Sequence, residues 1–148
     1  MGKTYIYIGA WNRPSISGDG GITVAEYDPD EAIINPIATQ FSQISCGAMK
    51  VDREKKILYV VDERREIEGK TFGSMIYAFA IQMETGILMP LSARQAFGIQ
   101  PSFVECDDAY ILETNHATDQ YVIRTERDEN GELHIIKLKD EASVVLFE

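Results

Sequence analysis

The sequence predicts an all-β fold assembled from repeated antiparallel meanders of about four strands each, and three observations predict it. Short runs of β-branched and aromatic residues recur along all 148 residues, bounded by Gly, Asp, Asn and Ser. The same order of runs and turns returns after roughly 50 residues, which is the signature of a repeat architecture. No stretch supports a helix: the best polar-rich segment, Asp52 to Lys56, is too short and leads straight into β-branched residues.

In the first round, TYIYIG closes at Gly9 and reads as a strand, and Asn12 to Gly21 is a loop on composition. Ile22 to Tyr27 is extended, DPDEA turns, and Ile33 to Thr39 is extended again. The second round runs GAMKV, a turn at DREKK, ILYVV, a charged loop from Asp62 to Gly73, SMIYAFAI, a turn at METG, and ILMPLSA. The third runs SFVEC, a turn at Asp107 and Asp108, AYILET, a short NHATD loop, QYVIRTE, a turn at RDENG, and ELHIIKL. Ser143 to Phe147 reads as one more strand, which begins a further round.

The register of the repeat follows from its turns. Met83 to Leu88 aligns with Asp128 to Leu133, and Asp30 to Ile33 sits at the equivalent place in the first round. Tyr59 aligns with Tyr110, and with Tyr5 or Tyr7 before it. Units of this length and strand count are those of propeller blades. The chain therefore reads as a partial β-propeller of about three four-stranded antiparallel blades, with approximate repeats over residues 3–45, 46–98 and 99–148. Three units cannot close an ordinary ring, so self-association through open blade faces is expected.

Composition narrows the partners. Fourteen basic and twenty-four acidic side chains leave a formal charge of −10, which disfavours a nonspecific nucleic-acid binder. No run approaches the ~20 apolar residues of a membrane helix. The opening MGKTYIYIGAW is apolar too briefly for a signal peptide, and Ile6 stands where myristoylation needs Ser or Thr. The expectation is a cytoplasmic protein with no membrane partner. Cys46 and Cys106 are far apart, and His116 and His134 are the only histidines. Two reduced, unbridged thiols are expected, with no metal and no cofactor.

YIYIGAWNRP, GGITVAEYDPD, ILYVVDE, YAFAIQMETGILMPL, the step GIQPSF and AYILETNH together resemble the N-terminal blades of the lactonase-type seven-bladed β-propellers. That family includes cytoplasmic 6-phosphogluconolactonases and the fungal type of carboxymuconate-lactonizing enzyme. The resemblance covers essentially the whole chain, which corresponds to the first two and a half to three blades of seven. The sequence departs from the family at Pro101-Ser102-Phe103-Val104, where Pro-Cys-His-Leu is frequent, and at His116, where an aromatic commonly follows the Asn. The resemblance implies a lactone hydrolase whose catalytic His, Arg and Glu come largely from central and later blades. The chain as given is expected to lack a complete site.

In a radial blade, the loop between the second and third strands and the loop leading into the first open on one face, around the channel. Here that face collects Arg13, Asp62, Glu63, Arg64, Arg65, Asn115, His116 and Asp119, whereas the opposite turns are mostly carboxylates. Lactone hydrolysis needs a general base to direct water at a carbonyl and a cation or N–H donors for the oxyanion. Glu63 fits the base, with Arg64 or Arg65 as partner; the plainer alternative is a charged loop paired with itself. His116 has a pKa range suited to proton transfer, against a hydrogen-bonded surface histidine. Arg13, Arg64, Arg65 and Asn115 are the candidate binders of a small anionic or lactone substrate. Gly18, Gly20 and Gly21 read as turn glycines, because no phosphate-loop pattern accompanies them. The rival function is a noncatalytic propeller-like module that binds a protein or small acid on the same face.

Overall fold

The computed structural model describes residues 3–12, 18–64, 75–95, 101–106, 110–115, 122–127, 129–130 and 133–138, the last four segments mainly through their backbone. Among the described residues there are eleven strands and no helix. They are β1 (Thr4–Ala10), β2 (Gly21–Asp28), β3 (Ile33–Gln40), β4 (Cys46–Asp52), β5 (Ile57–Asp62), β6 (Met75–Ile81), β7 (Leu88–Gln95), β8 (Pro101–Cys106), β9 (Tyr110–Asn115), β10 (Val122–Arg127) and β11 (Leu133–Leu138). They form three antiparallel meanders, β1-β2-β3, β4-β5-β6-β7 and β8-β9-β10-β11, as the repeat in the sequence predicts.

The β-bulges fix which strands are equivalent. In β2 the register against β3 shifts between Val24 and Ala25, and in β6 the register against β7 shifts between Ala78 and Phe79. Val24 pairs with Tyr7, and Ala78 pairs with Tyr59. Tyr7 is therefore the counterpart of Tyr59, and β1, β2 and β3 are the counterparts of β5, β6 and β7. Pro36 and Pro90 stand opposite the second bulge residue in their respective outer strands, where a missing N–H is tolerated at a sheet edge. A second pair of bulges, at Cys46/Ala48 and Pro101/Phe103, aligns β4 with β8. Through it Asn115 takes the place of Asp62, and Leu112 that of Tyr59. The expected match of Tyr59 with Tyr110 is corrected by two residues, because period-2 alternation leaves the same face in view after a two-residue slip.

Packing follows from β5. Its side chains ILYVVD are buried on both faces. Leu58 and Val60 join Ile22, Val24, Ile44, Phe79 and Leu88 in the core against the first meander, while Ile57, Tyr59 and Val61 join Ile76, Ala78 and Val104 in the core toward the third. The outer strands carry exposed apolar residues, among them Ile33, Ile34, Ile37, Met89 and Leu91.

The tight turns repeat as well. Gly86 has φ +73 and accepts no side chain, since a Cβ there would meet the ring of Tyr5 at 2.5 Å. The Tyr5 hydroxyl donates to the Glu84 carbonyl at 2.7 Å and the Tyr7 hydroxyl to the Gly86 carbonyl at 3.0 Å, which seats the first meander on the second. Ala32, at the equivalent turn, holds φ 54 without being glycine.

Candidate functional site

The best-organised polar cluster forms where β5 ends and the connection from β3 enters β4. Asp62, the last residue of β5, is fully buried. Its Oδ1 accepts the backbone N–H of Ser45 at 3.1 Å and that of Arg64 at 3.3 Å. The Arg64 guanidinium turns back two residues and forks onto the same carboxylate, with Nε 3.0 Å from Oδ1 and 2.9 Å from Oδ2. Charge-assisted forks of this kind are the strong form of the hydrogen bond, and the Asp62 carboxylate raises the Arg64 pKa, so its cation is permanent. Tyr77, on β6 next to β5, lies near this pair; burial, ahead of the nearby Asp62 charge, raises its phenol pKa.

Glu63 is held by its backbone, whose N–H donates to the Ser45 carbonyl at 2.7 Å, and its side chain is largely buried. The carboxylate lies over Gly47: a Cβ at that position would stand 2.9 Å from Glu63 Oε2 and 2.9 Å from the Pro101 carbonyl. The absence of a side chain at Gly47 thus makes room for Glu63 at the step between the second and third inner strands. Asn115, paired with Pro101 at the end of β9, lies at the same end of the sheets. Asn12 reaches this end from the first meander, through its N–H to Ser45 Oγ at 3.2 Å and its Nδ2 to the Ser42 carbonyl at 2.9 Å.

Cys46 is buried beside the two carboxylates. Burial first, then the charges of Asp62 and Glu63, push its thiol up to about 12, so it is a neutral core residue rather than a nucleophile at ordinary pH. Cys46 and Cys106 are both free.

Of the residues singled out in the sequence, the structure brings Glu63, Arg64 and the Asn115 backbone to one end of the sheets. Arg64 is engaged by Asp62, which is the self-paired arrangement weighed above for this loop. Arg13, Arg65 and His116 lie outside the described residues. Sequence reasoning passed over Ser45, Gly47 and Tyr77, which come from distant strands. Asp62 was legible as the charged end of an apolar strand, but its burial was not. At the opposite end the turns carry exposed carboxylates such as Asp30, Glu31 and Glu84, and cations gather among them. Lys3, Arg53 and Lys56 line a cavity of about 410 Å³ there with Tyr5, Tyr7, Val51, Ile81 and Met83, because Asp52 is drawn back onto the Lys55 N–H and ammonium.

Three antiparallel meanders with Asp62, Glu63 and Arg64 at one end agree with what a family comparison finds. Residues 5–145 fit the model of the lactonase family, described as a 7-bladed β-propeller. The chain belongs to this lactonase family. The structure is also similar to a candidate 6-phosphogluconolactonase from Bacteroides fragilis, with a TM-score of 0.74 at 16% identity over 94% of this chain and 37% of that one. A second candidate 6-phosphogluconolactonase, from Bacteroides uniformis, gives 0.75 at 17% identity over 90% and 36%. The periplasmic gluconolactonase of Pseudomonas aeruginosa gives 0.74 at 16% identity over 94% and 39%. At these identities the likeness to each is one of fold. The lactonase-family chain described here spans less than two fifths of the length of those structures. No curated protein sequence matches it significantly. No helix among the described residues is long and apolar enough to cross a membrane.

Proposed function

We propose that the protein supplies part of a sugar-lactone hydrolase, taking a substrate such as 6-phosphogluconolactone at the end of the sheets where Asp62, Glu63 and Arg64 meet. The observation that carries this reading is the family match over residues 5–145; the buried Glu63, next in sequence to a guanidinium fixed on Asp62, adds the chemistry. In the proposed step Glu63 takes a proton from water while the water oxygen bonds to the lactone carbonyl carbon. The resulting oxyanion collapses, the ring C–O bond breaks, and the leaving oxygen takes a proton from His116. Arg64, with Arg13 and Arg65, offers cations to the substrate phosphate or the oxyanion, and Asn115 offers its amide. The cytoplasm is the compartment this reading assigns.

The chain covers under two fifths of the similar structures, so the remaining catalytic groups are assigned to further blades. The test is hydrolysis of 6-phosphogluconolactone, together with binding of the product acid by calorimetry. The 148-residue chain should bind the acid with little turnover. Arg65→Ala should weaken that binding roughly thirtyfold, the loss of a charge-assisted contact of about 2 kcal/mol. Robust turnover by the short chain, abolished in Glu63→Gln, would overturn the assignment of catalysis to further blades; absence of any binding would overturn the site.

The fork of Arg64 onto Asp62 favours a second reading, a noncatalytic module that holds a small acid through Arg13, Arg65 and Asn115. Binding without turnover in a longer form carrying all its blades would select it.

A further inference from the structure

Asp62, Glu63 and Arg64 stand where β5 ends; a second hollow lies where β5 begins. This cavity of about 410 Å³ opens between β1 of the first meander and the turns of the second. Its walls are of two kinds. Tyr5, Tyr7, Val51, Ile81 and Met83 supply ring and aliphatic surface, and Lys3, Arg53 and Lys56 supply cations. A concave, mostly apolar lining with a few convergent polar groups is what small-molecule sites present.

The aromatic wall is fixed by backbone groups of the second meander. The Tyr5 hydroxyl donates to the Glu84 carbonyl, the Tyr7 hydroxyl donates to the Gly86 carbonyl, and the Tyr5 ring rests on Gly86. With both phenol donors engaged, these rings serve to pack rather than to donate. Burial, ahead of the neighbouring Tyr5, pushes the Tyr7 phenol up to about 12, so this wall stays neutral beside an anion.

The cations differ in their engagement. Lys3 pairs with Glu26 at 2.8 Å. In the turn after β4, Asp52 holds the Lys55 N–H and ammonium, and Arg53 and Lys56 have no ion pair among the described residues. On a chain whose formal charge is −10, unneutralised cations beside an apolar hollow mark a place for an anion. Lys56 is also one of the few non-glycine residues with a left-handed backbone, at φ 56, a conformation that glycine adopts more readily.

We propose that this cavity binds a small carboxylate with an aromatic body. The carboxylate lies on Arg53 and Lys56, where the planar guanidinium fork matches its two oxygens. The ring lies against Tyr5 and Tyr7, with Val51, Ile81 and Met83 closing over it, so that aromatic packing and apolar burial add to the charge. A phosphorylated sugar acid has no apolar body to place there. The inference is therefore independent of the catalytic reading, which uses the other end of the strands and a different class of ligand.

Phenylacetate titrated into the full 148-residue chain, followed by backbone amide chemical shifts, tests it. A Kd on the order of 0.1 mM is expected, with the shifts concentrated in residues 4–7, 51–56 and 81–83. Neutral phenylacetamide should bind at least tenfold more weakly, roughly the loss of one charge-assisted contact. Inorganic phosphate and 6-phosphogluconate should not displace phenylacetate. Arg53→Gln should weaken phenylacetate roughly tenfold and leave any binding of 6-phosphogluconate unchanged. Lys56→Gly should weaken phenylacetate several-fold while raising the thermal midpoint, because it removes the cation and relieves the left-handed backbone. Impaired folding would lower that midpoint instead, and Arg53→Gln, at an exposed turn, then decides. Absence of shifts at millimolar phenylacetate, shifts centred on residues 45–47 and 62–64, equal binding of the amide, displacement by phosphate, or an affinity that Arg53→Gln leaves intact would each overturn the proposal. Failure of 6-phosphogluconate to bind would instead count against the catalytic site alone.

Discussion

β1 and β5 occupy the same place in successive meanders, yet the side chains they present to the preceding sheet fare differently. Val60 is 0% exposed; its counterpart Ile8 is 47% exposed. Both strands are short, β-branched and aromatic, and both pair with a following strand in the same register. The difference lies in the neighbours: β5 has an inner strand on one edge and a packed sheet on each face, whereas among the described residues β1 has a sheet on one face and no strand paired to its inner edge. Burial in this fold is thus conferred by the adjoining blade, as in other repeat architectures, where stability is a sum of unit and interface contributions.

The largest expected effect concerns the residue that most separates the meanders. Asp62 in the second has Ala10 as its counterpart in the first. Asp62→Ala leaves the partly buried Arg64 cation and the Ser45 N–H without their acceptor, and should lower unfolding stability by about 3 kcal/mol. Denaturant titration checks this, and a loss under 1 kcal/mol would mean that the fork on Asp62 is not a structural tie. Next comes the direct pair. Val60→Ala should cost about 2 kcal/mol, whereas Ile8→Ala should cost under about 0.5 kcal/mol in the dilute single chain. Equal costs would break the comparison.

The turns sharpen it further. Gly86→Ala meets both a positive φ and the Tyr5 ring, and should cost about 2 kcal/mol. Ala32→Gly relieves the same left-handed backbone where no ring intervenes, and should stabilise by about 0.5–1 kcal/mol. Both are measurable as shifts in thermal midpoint.

The last effect is absent at neutral pH and appears only in alkali. Burial raises the Cys46 thiol from 9.0 to about 12 in the folded chain, so the folded state binds a proton that the unfolded state releases. The stability this contributes is complete below about pH 9 and is lost as pH rises toward about 12. Stability of Cys46→Ala should fall less steeply across that window, and an identical slope would contradict the burial assigned to the thiol.

Much of the fold was legible in the sequence because the signals were local. The apolar run ILYVV between charged turns is a strand buried on both faces, and Thr85-Gly86 is a turn by its glycine. Register was less legible. Tyr5 and Tyr7 share a face, so alternation alone does not choose between them, and the bulge at Val24/Ala25 decides for Tyr7. The same ambiguity produced the two-residue error at Tyr110. At the candidate site, the charges at Asp62, Glu63 and Arg64 were readable as a cluster. The roles of Ser45, Gly47 and Tyr77 were not, because they depend on which strand ends meet. The cations beside Tyr5 were hidden for the same reason: Lys3, Arg53 and Lys56 come from the first strand and from a turn that reads as mixed charge.

Backbone amide exchange tests the central claim most directly, that β5 is covered on both faces and along both edges whereas its counterpart β1 is not. Alternate amides of Thr4–Ala10 should exchange rapidly, while those of Ile57–Asp62 stay protected. Equal protection of the two strands would contradict the account.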